Sequence, residues 1–467
     1  MNAPIVWIAA PFLAAIILLL IPSEKWISYL GGAFSLFLAV LAYVLPPNSA
    51  LRIGELSMRM DPGFGIMGRT LSLGNSDQVM LILVYGIGAF WFFGTLASGY
   101  SRRIIPIGLA IIALLVTSLV IQPFLYAAII IEMSILVSVP MLSEPAKKPG
   151  RGLLRYIIYQ TFAMPFILFA GFLLSGVESG PTDLAIISQA VIMLGFGFAF
   201  LLSIFPLFTW IPMLADETLP FAIGFILIIF PTFTQVFGLT FIDRYAWLRD
   251  SQSFPALLQI LGLIMVISAG LLAAFQRQIN RIFAYTSVAE TGLTLLAFSL
   301  PDRGIGLQIA FFLIIPRALA YGIWTLSINV LKINNPAGLR FTHIRGLARQ
   351  FPFASAGIIL ANLSLAGMPM LASFPVRQAL WEKLAVLNQT GAMLFGFASL
   401  GIWTAAIRTL AVLNMAPEST PWESKESPVE KILIGSGIIF LLLLGLYPQW
   451  SQSFLANLPS MFEHLGK

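Results

Sequence analysis

Charged residues are scarce in this 467-residue chain, where Asp, Glu, Lys and Arg together occupy 10% of the positions. A soluble globular domain carries about 25% charged residues, whereas hydrophobic residues make up 58% of this chain. The mean hydropathy is +0.92. This composition excludes a soluble globular protein and predicts one embedded in a lipid bilayer. The net charge of +6 then reflects membrane topology, and we expect no nucleic acid as a partner.

Cysteine is absent, and histidine occurs only at His343 and His464. These residue types supply most structural metal sites, all disulfides and the usual haem ligands, so we expect no metal at this chain. The sequence also lacks a phosphate-binding loop and a strand-bound dinucleotide fingerprint. We therefore expect no cofactor and no catalytic residue in the ordinary sense, and any redox chemistry has to reside in partner proteins.

Fourteen apolar stretches predict membrane spans, since a span needs roughly 20 mainly apolar residues. They run near 4–22, 27–46, 78–98, 104–121, 123–141, 153–176, 187–213, 219–241, 255–275, 280–299, 305–331, 353–386, 389–415 and 430–448. No basic region precedes the first stretch and no small-residue cleavage site follows it, so we interpret it as a retained span rather than a signal peptide. The predicted fold is an all-α polytopic membrane protein.

Basic residues indicate the orientation, because Lys and Arg accumulate in cytoplasmic loops. With the amino terminus outside, fifteen of them fall in the inner loops, namely Lys25, Arg102, Arg103, Lys147, Lys148, Arg151, Arg155, Arg277, Arg281, Lys332, Arg340, Arg345, Arg349, Lys425 and Lys431. Seven fall outside, namely Arg52, Arg59, Arg69, Arg244, Arg249, Arg303 and Lys467. This asymmetry predicts an even number of spans with both termini outside.

Two spans each contain a pair of prolines six residues apart. Pro206 and Pro212 lie in IFPLFTWIP of the seventh span, and Pro369 and Pro375 lie in AGMPMLASFP of the twelfth. Proline removes a backbone donor, and an unsatisfied backbone group in hydrocarbon costs several kcal/mol. One pair alone is compatible with an ordinary kink. Two pairs in corresponding spans predict discontinuous helices 7 and 12.

The two interrupted spans are five spans apart, which is an odd number, so the second copy has to be inverted relative to the first. Inverted repeats with discontinuous helices are typical of transporters. We predict two five-helix repeats, at 101–245 and 246–416. Three added spans occupy 1–100, and a loop with the last span occupies 417–467.

Ionisable residues within spans are costly and indicate function by default. Glu132 lies in the middle of the fifth span and Glu290 in the tenth, which is its counterpart in the second repeat. Arg317 lies in the eleventh span, and Arg377 follows the interruption of the twelfth. We predict these four residues as a proton pathway. The alternative for each is a structural role, in which the charged group is held by a polar neighbour.

Five short segments resemble motifs of the antiporter-like membrane subunits of respiratory complex I and their relatives in Mrp-type antiporters and membrane-bound hydrogenases. The strongest is FQRQINRIFAYTSVAETGL at 275–293, and SLAGMPMLASFPVRQALW at 364–381 is similar to the family's twelfth span. Glu132 in IEMSIL, Asp61 in MRMDPGF and GYS at 99–101 also match family positions. The similarity covers nearly the whole chain, and the short carboxyl end favours the most compact of the complex I paralogues.

The resemblance also implies losses. In that family a Glu of the fifth span pairs with a Lys of the seventh, but here Leu201 stands at the Lys position and Phe208 replaces a His. Asn280 replaces the first of two basic residues. Arg317 and Arg377 align with basic residues of the eleventh and twelfth spans, the latter a Lys. Glu290 occupies a position that is often His.

These substitutions bear on proton transfer because arginine stays protonated, whereas a desolvated lysine takes up and releases protons. Arg317 and Arg377 hold charge but carry protons poorly, and we expect Glu132, which lacks a cationic partner, to be mostly neutral. A horizontal relay of alternating Lys and Glu is therefore interrupted at several points.

The predicted function is that of a proton-translocating, antiporter-like subunit of a complex I-type NADH:quinone oxidoreductase, with a partly degenerate pathway. Its expected partners are neighbouring antiporter-like and other membrane subunits, protons or sodium ions, and lipid, in the inner (plasma) membrane. Two alternatives remain within the family: a structural paralogue that does not pump, and a subunit of an Mrp antiporter or a membrane-bound hydrogenase. An unrelated membrane enzyme, such as a lipid-linked transferase, is a further alternative.

Overall fold

The computed structural model describes residues 2–48, 50–53, 56–66, 68–143, 149–174, 184–251, 253–335, 337–415 and 421–465. Three basic residues used for the topology prediction, Lys147, Lys148 and Lys467, lie outside these ranges.

Helices dominate the first half of the chain, after a π-helical turn at Ile5–Ala9. They are α1 (Ala10–Leu19), α2 (Glu24–Val44), α3 (Gln78–Ser98), α4 (Ser101–Val120), α5 (Ala127–Leu142), α6 (Arg151–Leu173), α7 (Leu184–Leu201), α8 (Trp210–Glu217), α9 (Pro220–Arg244) and α10 (Ala246–Arg249). The second half contains α11 (Ser253–Phe275), α12 (Ile279–Phe298), α13 (Arg303–Phe312), α14 (Ile314–Asn334), α15 (Pro352–Leu365), α16 (Phe374–Leu387), α17 (Gln389–Asn414), α18 (Pro428–Leu446) and α19 (Gln449–Leu455).

Each predicted span coincides with helix over most of its length. Ten helical stretches in the described ranges are long and apolar enough to cross a membrane, and three shorter apolar helices occupy Ile5–Leu19, Ala185–Leu201 and Pro352–Leu365. The tenth predicted span is α12, whose polar and charged side chains lower its hydropathy. The prediction of a multi-span helical membrane protein is confirmed, while the number of fourteen spans stays a prediction.

The predicted all-α class is incomplete, because the structure also contains two small sheets next to the helices. Strands β1 (Ala50–Ile53) and β2 (Leu56–Arg59) pair antiparallel, and β3 (Gly63–Ile66), β4 (Arg69–Ser72) and β5 (Ile121–Gln122) form a second sheet in that order. Gly68 has a φ of 73° between β3 and β4, a conformation that glycine adopts without steric cost. Backbone groups outside the helices still need partners, and strand pairing provides them here.

The chain leaves the helical conformation between α7 and α8 and again between α15 and α16. In the first segment Ser203 has a φ of 54°, and a 3₁₀ turn at Leu207–Thr209 precedes α8. In the second segment Gly367 and Met370 have φ values of 82° and 71°. Pro206 and Pro369 lie in these two segments.

The second proline of each pair lies inside the helix that follows. Pro212 is the third residue of α8 and Pro375 is the second residue of α16. Backbone N–H groups in the first turn of a helix have no intrahelical acceptor, so proline is tolerated there. Pro212 and Pro375 thus lie at the start of the helix that follows each non-helical segment, and their role in the breaks stays a prediction.

A local irregularity lies at Leu313 between α13 and α14, where the backbone keeps helical dihedral angles of φ −70° and ψ −21°. Pro316 has no N–H to donate to the carbonyl four residues earlier, which belongs to Phe312. The helix bounds change at that point. The predicted span at 305–331 is thus helical throughout, with a local irregularity one turn before Arg317.

Carbonyl groups freed near the two larger interruptions accept hydrogen bonds from side chains of neighbouring helices. Gln160 on α6 donates through Nε2 to the carbonyls of Phe200 and Leu201 at 3.2 and 3.4 Å. Trp403 on α17 donates through Nε1 to the carbonyl of Ala366 at 3.1 Å. The last carbonyls of a helix have no intrahelical donor, so these contacts stabilise the non-helical segments.

Helices α11 and α17 approach each other at two glycines. A Cβ atom added at Gly401 would lie 2.4 Å from the carbonyl oxygen of Gly270, and one added at Gly270 would lie 2.4 Å from that of Ala398. Small residues allow such close backbone contact between membrane helices. No larger residue fits at either position without separating the helices.

We expect Gly401→Val to lower the stability of the folded protein by about 1–3 kcal/mol, the usual cost of overpacking. Thermal unfolding of the purified protein in detergent measures the effect. Gly396→Val is the matched control on the same helix, because a Cβ there meets nothing within 4 Å. Equal melting temperatures for the two variants would contradict the close contact.

Candidate functional site

Three of the predicted pathway residues meet in one buried cluster, in which the carboxylate of Glu290 lies between two guanidinium groups. Arg317 Nε donates to Oε2 at 3.1 Å, and Arg377 Nη1 donates to Oε1 at 2.6 Å. Their side chains are 1% exposed for Glu290 and 4% for each arginine. We call this set the Arg–Glu–Arg cluster. It joins α12, α14 and α16.

Both arginines have further partners in the cluster's surroundings. Arg317 Nη2 donates to the carbonyl of Glu290 at 2.8 Å and to Thr294 Oγ1 at 2.9 Å. Arg377 Nη2 donates to Ser399 Oγ at 3.2 Å, and its guanidinium lies 5.4 Å from the centre of the Phe395 ring. A buried guanidinium needs several acceptors for its five N–H groups. These contacts hold both side chains in fixed positions.

The interruptions in the helices place the two arginines. Arg317 follows directly after Pro316, at the start of α14. A Cβ at Gly367 would lie 3.1 Å from Arg377 Nε, so a side chain there would crowd the guanidinium. The positive φ of Gly367 also favours glycine. The non-helical segment between α15 and α16 thus leaves room for Arg377 to reach Glu290.

The cluster is a charge-holding site. Arginine remains charged in proteins, so two cations and one carboxylate leave a net charge of +1 in a region of low dielectric, where charges interact more strongly than in water. Removing one partner from a buried ion pair costs about 3–5 kcal/mol. Neither arginine is suited to carry a proton.

Glu132 is buried, with 7% of its surface exposed, but it belongs to a separate site. Thr161 on α6 donates a hydrogen bond to its Oε1 at 2.7 Å. Its Oε2 has no hydrogen-bond partner within the described ranges. Nearby on the same two helices, the hydroxyls of Ser138 and Tyr156 are 2.8 Å apart. No ion pair among the described residues connects Glu132 to a cation.

Leu201, at the predicted lysine position, is 7% exposed and ends α7. It lines a small cavity of about 20 Å³ together with Tyr156, Ser203, Ser287, Thr291 and apolar side chains. A polar cavity of this size holds about one water molecule. Ser287 and Thr291 lie on α12 beside Glu290, so the cavity lies between the Glu132 region and the Arg–Glu–Arg cluster.

The other two substituted positions lie away from the cluster. Phe208 is buried and contacts Tyr285 edge to face, with ring centres 6.2 Å apart. Asn280 is buried in the first turn of α12, and its Oδ1 has no partner within the described part of the chain. The adjacent Arg281 pairs with Asp216 at the end of α8 at 2.5 Å. This ion pair connects the two predicted repeats near the membrane surface.

Sequence reasoning missed the hydroxyl groups that complete both sites. Thr294 lies four residues after Glu290, and this spacing puts it on the same face of α12, which is a usable signal. The polar pair Gln160 and Thr161 interrupts an otherwise apolar span and is a second signal. Ser399 gives no such indication, because it lies 22 residues from its partner Arg377.

Metal ligands do not converge in the described residues, where no group of three His, Cys, Asp or Glu side chains is positioned to hold an ion. The chemistry available at the candidate site is therefore that of buried charges, hydroxyls and one small cavity.

Comparison with known proteins identifies the family of this chain. A sequence profile described as "NADH:quinone oxidoreductase/Mrp antiporter, TM" matches residues 146–402, which is more than half of the chain. This chain belongs to that family. The matched range contains Glu290, Arg317 and Arg377, whereas Glu132 lies just before it. The resemblance inferred from the sequence motifs is thus confirmed.

Relatives and solved structures match nearly the whole chain. Subunit 14 of the NADH-quinone oxidoreductase of Thermus thermophilus is 26% identical over 443 residues, which cover 89% of this chain and 96% of the relative. A chain of the Mrp complex from Dietzia sp. DQ12-45-1b has a TM-score of 0.83, with 14% identity and 99% and 97% coverage. A chain of respiratory complex I from Thermus thermophilus has a TM-score of 0.77, with 17% identity and 100% and 99% coverage.

We expect Glu290→Gln to destabilise the protein by about 3–5 kcal/mol, because it leaves two buried guanidiniums without their carboxylate. Arg377→Met should cost less, since one neutral pair of Arg317 and Glu290 remains. Chemical denaturation of the purified protein measures both. Glu382→Gln, at an exposed position of α16, is the control. A larger loss for Arg377→Met than for Glu290→Gln would contradict the assigned charges.

Proposed function

We propose that this chain is an ion-translocating, antiporter-like subunit of a complex I-type membrane complex whose partners supply redox energy, with a partly degenerate proton pathway. The observation that carries the proposal is the Arg–Glu–Arg cluster. Charged groups at bilayer depth are costly, and apolar packing fills the same volume at equal or lower free energy. A function that uses buried charge accounts for their presence.

In this proposal Glu132 is the exchangeable proton site. Its carboxyl group has one hydroxyl partner, Thr161, and an oxygen without a partner among the described residues. A carboxylic acid without a fixed counter-ion binds and releases a proton without breaking an ion pair. The hydroxyls of Tyr156 and Ser138 supply hydrogen-bond partners toward α12, and the cavity beside Leu201 has room for one water molecule.

The Arg–Glu–Arg cluster sets the electric field in the second repeat. Its net positive charge opposes the approach of a proton or a sodium ion, because like charges repel strongly at low dielectric. Movement of Arg377 away from Glu290 would lower this barrier. The non-helical segment before α16 is the element whose rearrangement would move Arg377.

In this proposal the chain has fourteen spans, with two inverted five-helix repeats at 101–245 and 246–416. The seventh and twelfth spans are discontinuous. Both termini lie on the outer side of the inner (plasma) membrane. The partners are other membrane subunits, including neighbouring antiporter-like ones. Similarity to the Thermus relative and to the Mrp complex supports a complex I-type or Mrp-type assembly. The sequence itself contains no phosphate-binding loop or dinucleotide-binding fingerprint that would supply energy.

A second candidate function is that of a structural paralogue that no longer conducts protons. The specific observation that favours it is Leu201, a buried hydrocarbon side chain where the family has a lysine. Without an amine at this position, the carboxyl group of Glu132 has no cationic partner among the described residues that would modulate its proton affinity. Two substitutions separate the two candidates.

We expect Glu132→Gln to reduce the number of protons pumped per electron while the complex still assembles, because glutamine keeps the shape but cannot bind a proton. Proton uptake into energised membrane vesicles measures pumping, and native gel electrophoresis measures assembly. Glu382→Gln is the matched control at an exposed site. Unchanged pumping would exclude this half of the protein from the pathway.

We expect Leu201→Lys to increase proton leak or pumping, because an amine at the end of α7 restores a cation near Glu132. Leu201→Met is the control that keeps the side chain long and uncharged. The same vesicle assay, with and without the redox substrate, distinguishes leak from coupled pumping. No difference between the lysine and methionine variants would favour the structural paralogue.

A further inference from the structure

An apolar cavity of about 140 Å³ lies at the junction of α7, α9, α11 and α12. Neither Glu132 nor the Arg–Glu–Arg cluster lines it, and it shares only Leu202 with the small cavity beside Leu201. Its lining consists of hydrocarbon side chains and glycine, apart from Thr234 and Gln235. Apolar cavities of about this size stay dry and take up apolar molecules. The cavity is therefore suited to part of a hydrocarbon chain.

The cavity has a lateral opening toward the bilayer. Val191 on α7 and Leu257 on α11 line it and are 37% and 49% exposed. Between them, a Cβ at Gly195 would meet nothing within 4 Å. In a membrane-spanning protein such an exposed apolar surface faces acyl chains. A lipid chain can thus enter from the side.

A smaller cavity continues toward the membrane surface at which α9 ends and α13 begins. It shares Leu239, Ile242, Phe254 and Phe298 with the larger cavity. Its remaining lining includes the side chains of Arg249 and Arg303. We call these two residues the rim arginines. The path from the bilayer into the protein is thus apolar inside and cationic at its end.

The rim arginines have hydrogen-bonding capacity left over. Arg249 Nη1 donates to the carbonyl of Asp243 at 2.6 Å, and Arg303 Nη2 donates to the carbonyl of Arg249. No carboxylate forms an ion pair with either of them within the described ranges. Each guanidinium has five N–H donors, and paired N–H groups suit phosphate oxygens.

The carboxylates of this face have other roles or point to solvent. Asp243 accepts from the backbone N–H groups of Glu463, His464 and Leu465 at 2.7–3.0 Å. Asp302 accepts from the N–H of Ile305 at 3.0 Å. Asp250 is exposed. Glu463 is exposed as well. None of these carboxylates pairs with a rim arginine within the described ranges, so the N–H groups of Arg249 and Arg303 that face the smaller cavity are available to a phosphate.

One buried donor inside the cavity also lacks a partner. Gln235 is 6% exposed, and its Nε2 has no hydrogen-bond partner among the described residues. It precedes Asp243 by eight helical residues, or about 12 Å along the axis. An unpaired buried donor is costly, so Gln235 favours a bound molecule with an acceptor inside the cavity.

We propose that this chain binds one anionic phospholipid here, with the phosphate between the rim arginines and part of one acyl chain in the apolar cavity. The lipid fills the space between α7, whose end borders the cavity beside Leu201, and α11. It is a structural lipid that binds at a defined position.

The test uses membranes that contain the full chain with its natural partner subunits. The probe is a phosphatidylglycerol with a photoactivatable diazirine on one acyl chain, and phosphatidylcholine with the same chain is the reference. Cross-linked peptides are identified by mass spectrometry. We expect labelling of the lining segments of α7, α9 and α11, stronger with phosphatidylglycerol than with phosphatidylcholine.

Matched variants separate the two halves of the proposed site. Replacing both rim arginines, Arg249→Gln with Arg303→Gln, should reduce labelling by at least about tenfold, since hydrogen bonds to charged groups contribute about 1.5–3 kcal/mol each. Arg244→Gln is the control, because its guanidinium lies over the Phe124 ring and lines neither cavity. Gly195→Leu should block the opening, and Gly396→Leu is its control.

Equal labelling by the two lipids, or labelling that persists in Gly195→Leu, would overturn the proposal. Labelling that occurs only after the partner subunits are removed would also overturn it, because a partner's side chains would then occupy the cavity. If inorganic phosphate bound at millimolar concentration while no acyl chain was cross-linked, the proposal would also be overturned, because the rim arginines would then bind a free anion.

Discussion

The organisation of this protein depends on one constraint, that a backbone polar group within hydrocarbon has to find a partner inside the protein. Where α7 ends, Gln160 supplies the missing donor, and where α15 ends, Trp403 does so. Both donors come from neighbouring helices of the same half of the chain. Each non-helical segment is thus hydrogen-bonded to a neighbouring helix. It also leaves a space, which a continuous helix would occupy, that is available to other side chains.

The two halves use that space differently. In the second half, a glycine at the interruption leaves room for a guanidinium, and the result is a cluster of three buried charges. In the first half, the corresponding region is filled by Leu201 and aromatic residues, and Glu132 has only a hydroxyl partner. The two predicted repeats therefore differ in their buried polar groups: one holds three charged side chains in mutual contact, and the other holds a single carboxyl group next to a hydroxyl.

Much of this was predictable from the sequence, and the omissions have physical causes. Composition identified the membrane class, and the proline pairs directed attention to the two segments in which the chain leaves the helical conformation. Contact between Glu290 and its arginines was not predictable, because the partners lie 27 and 87 residues away and only packing brings them together. The place of the second prolines in the first turn of a helix was not predictable from the pairs, because proline fits that turn as well as it disrupts the middle of a helix. The small sheets were missed because nothing in their segment repeats at a clear period.

The ion pair between Asp216 and Arg281 has a mechanical consequence. It fastens the last turn of α8, in the first half, to the first turn of α12, in the second. Glu290 lies nine residues further along α12, about 13 Å at the rise of an α-helix, and a helix of that length transmits axial displacement with little compression. A direct side-chain contact therefore links the short helix after the first interruption to the helix that carries Glu290, and because the Arg281 side chain is 46% exposed, this pair contributes at most about 1 kcal/mol to holding the two helices together.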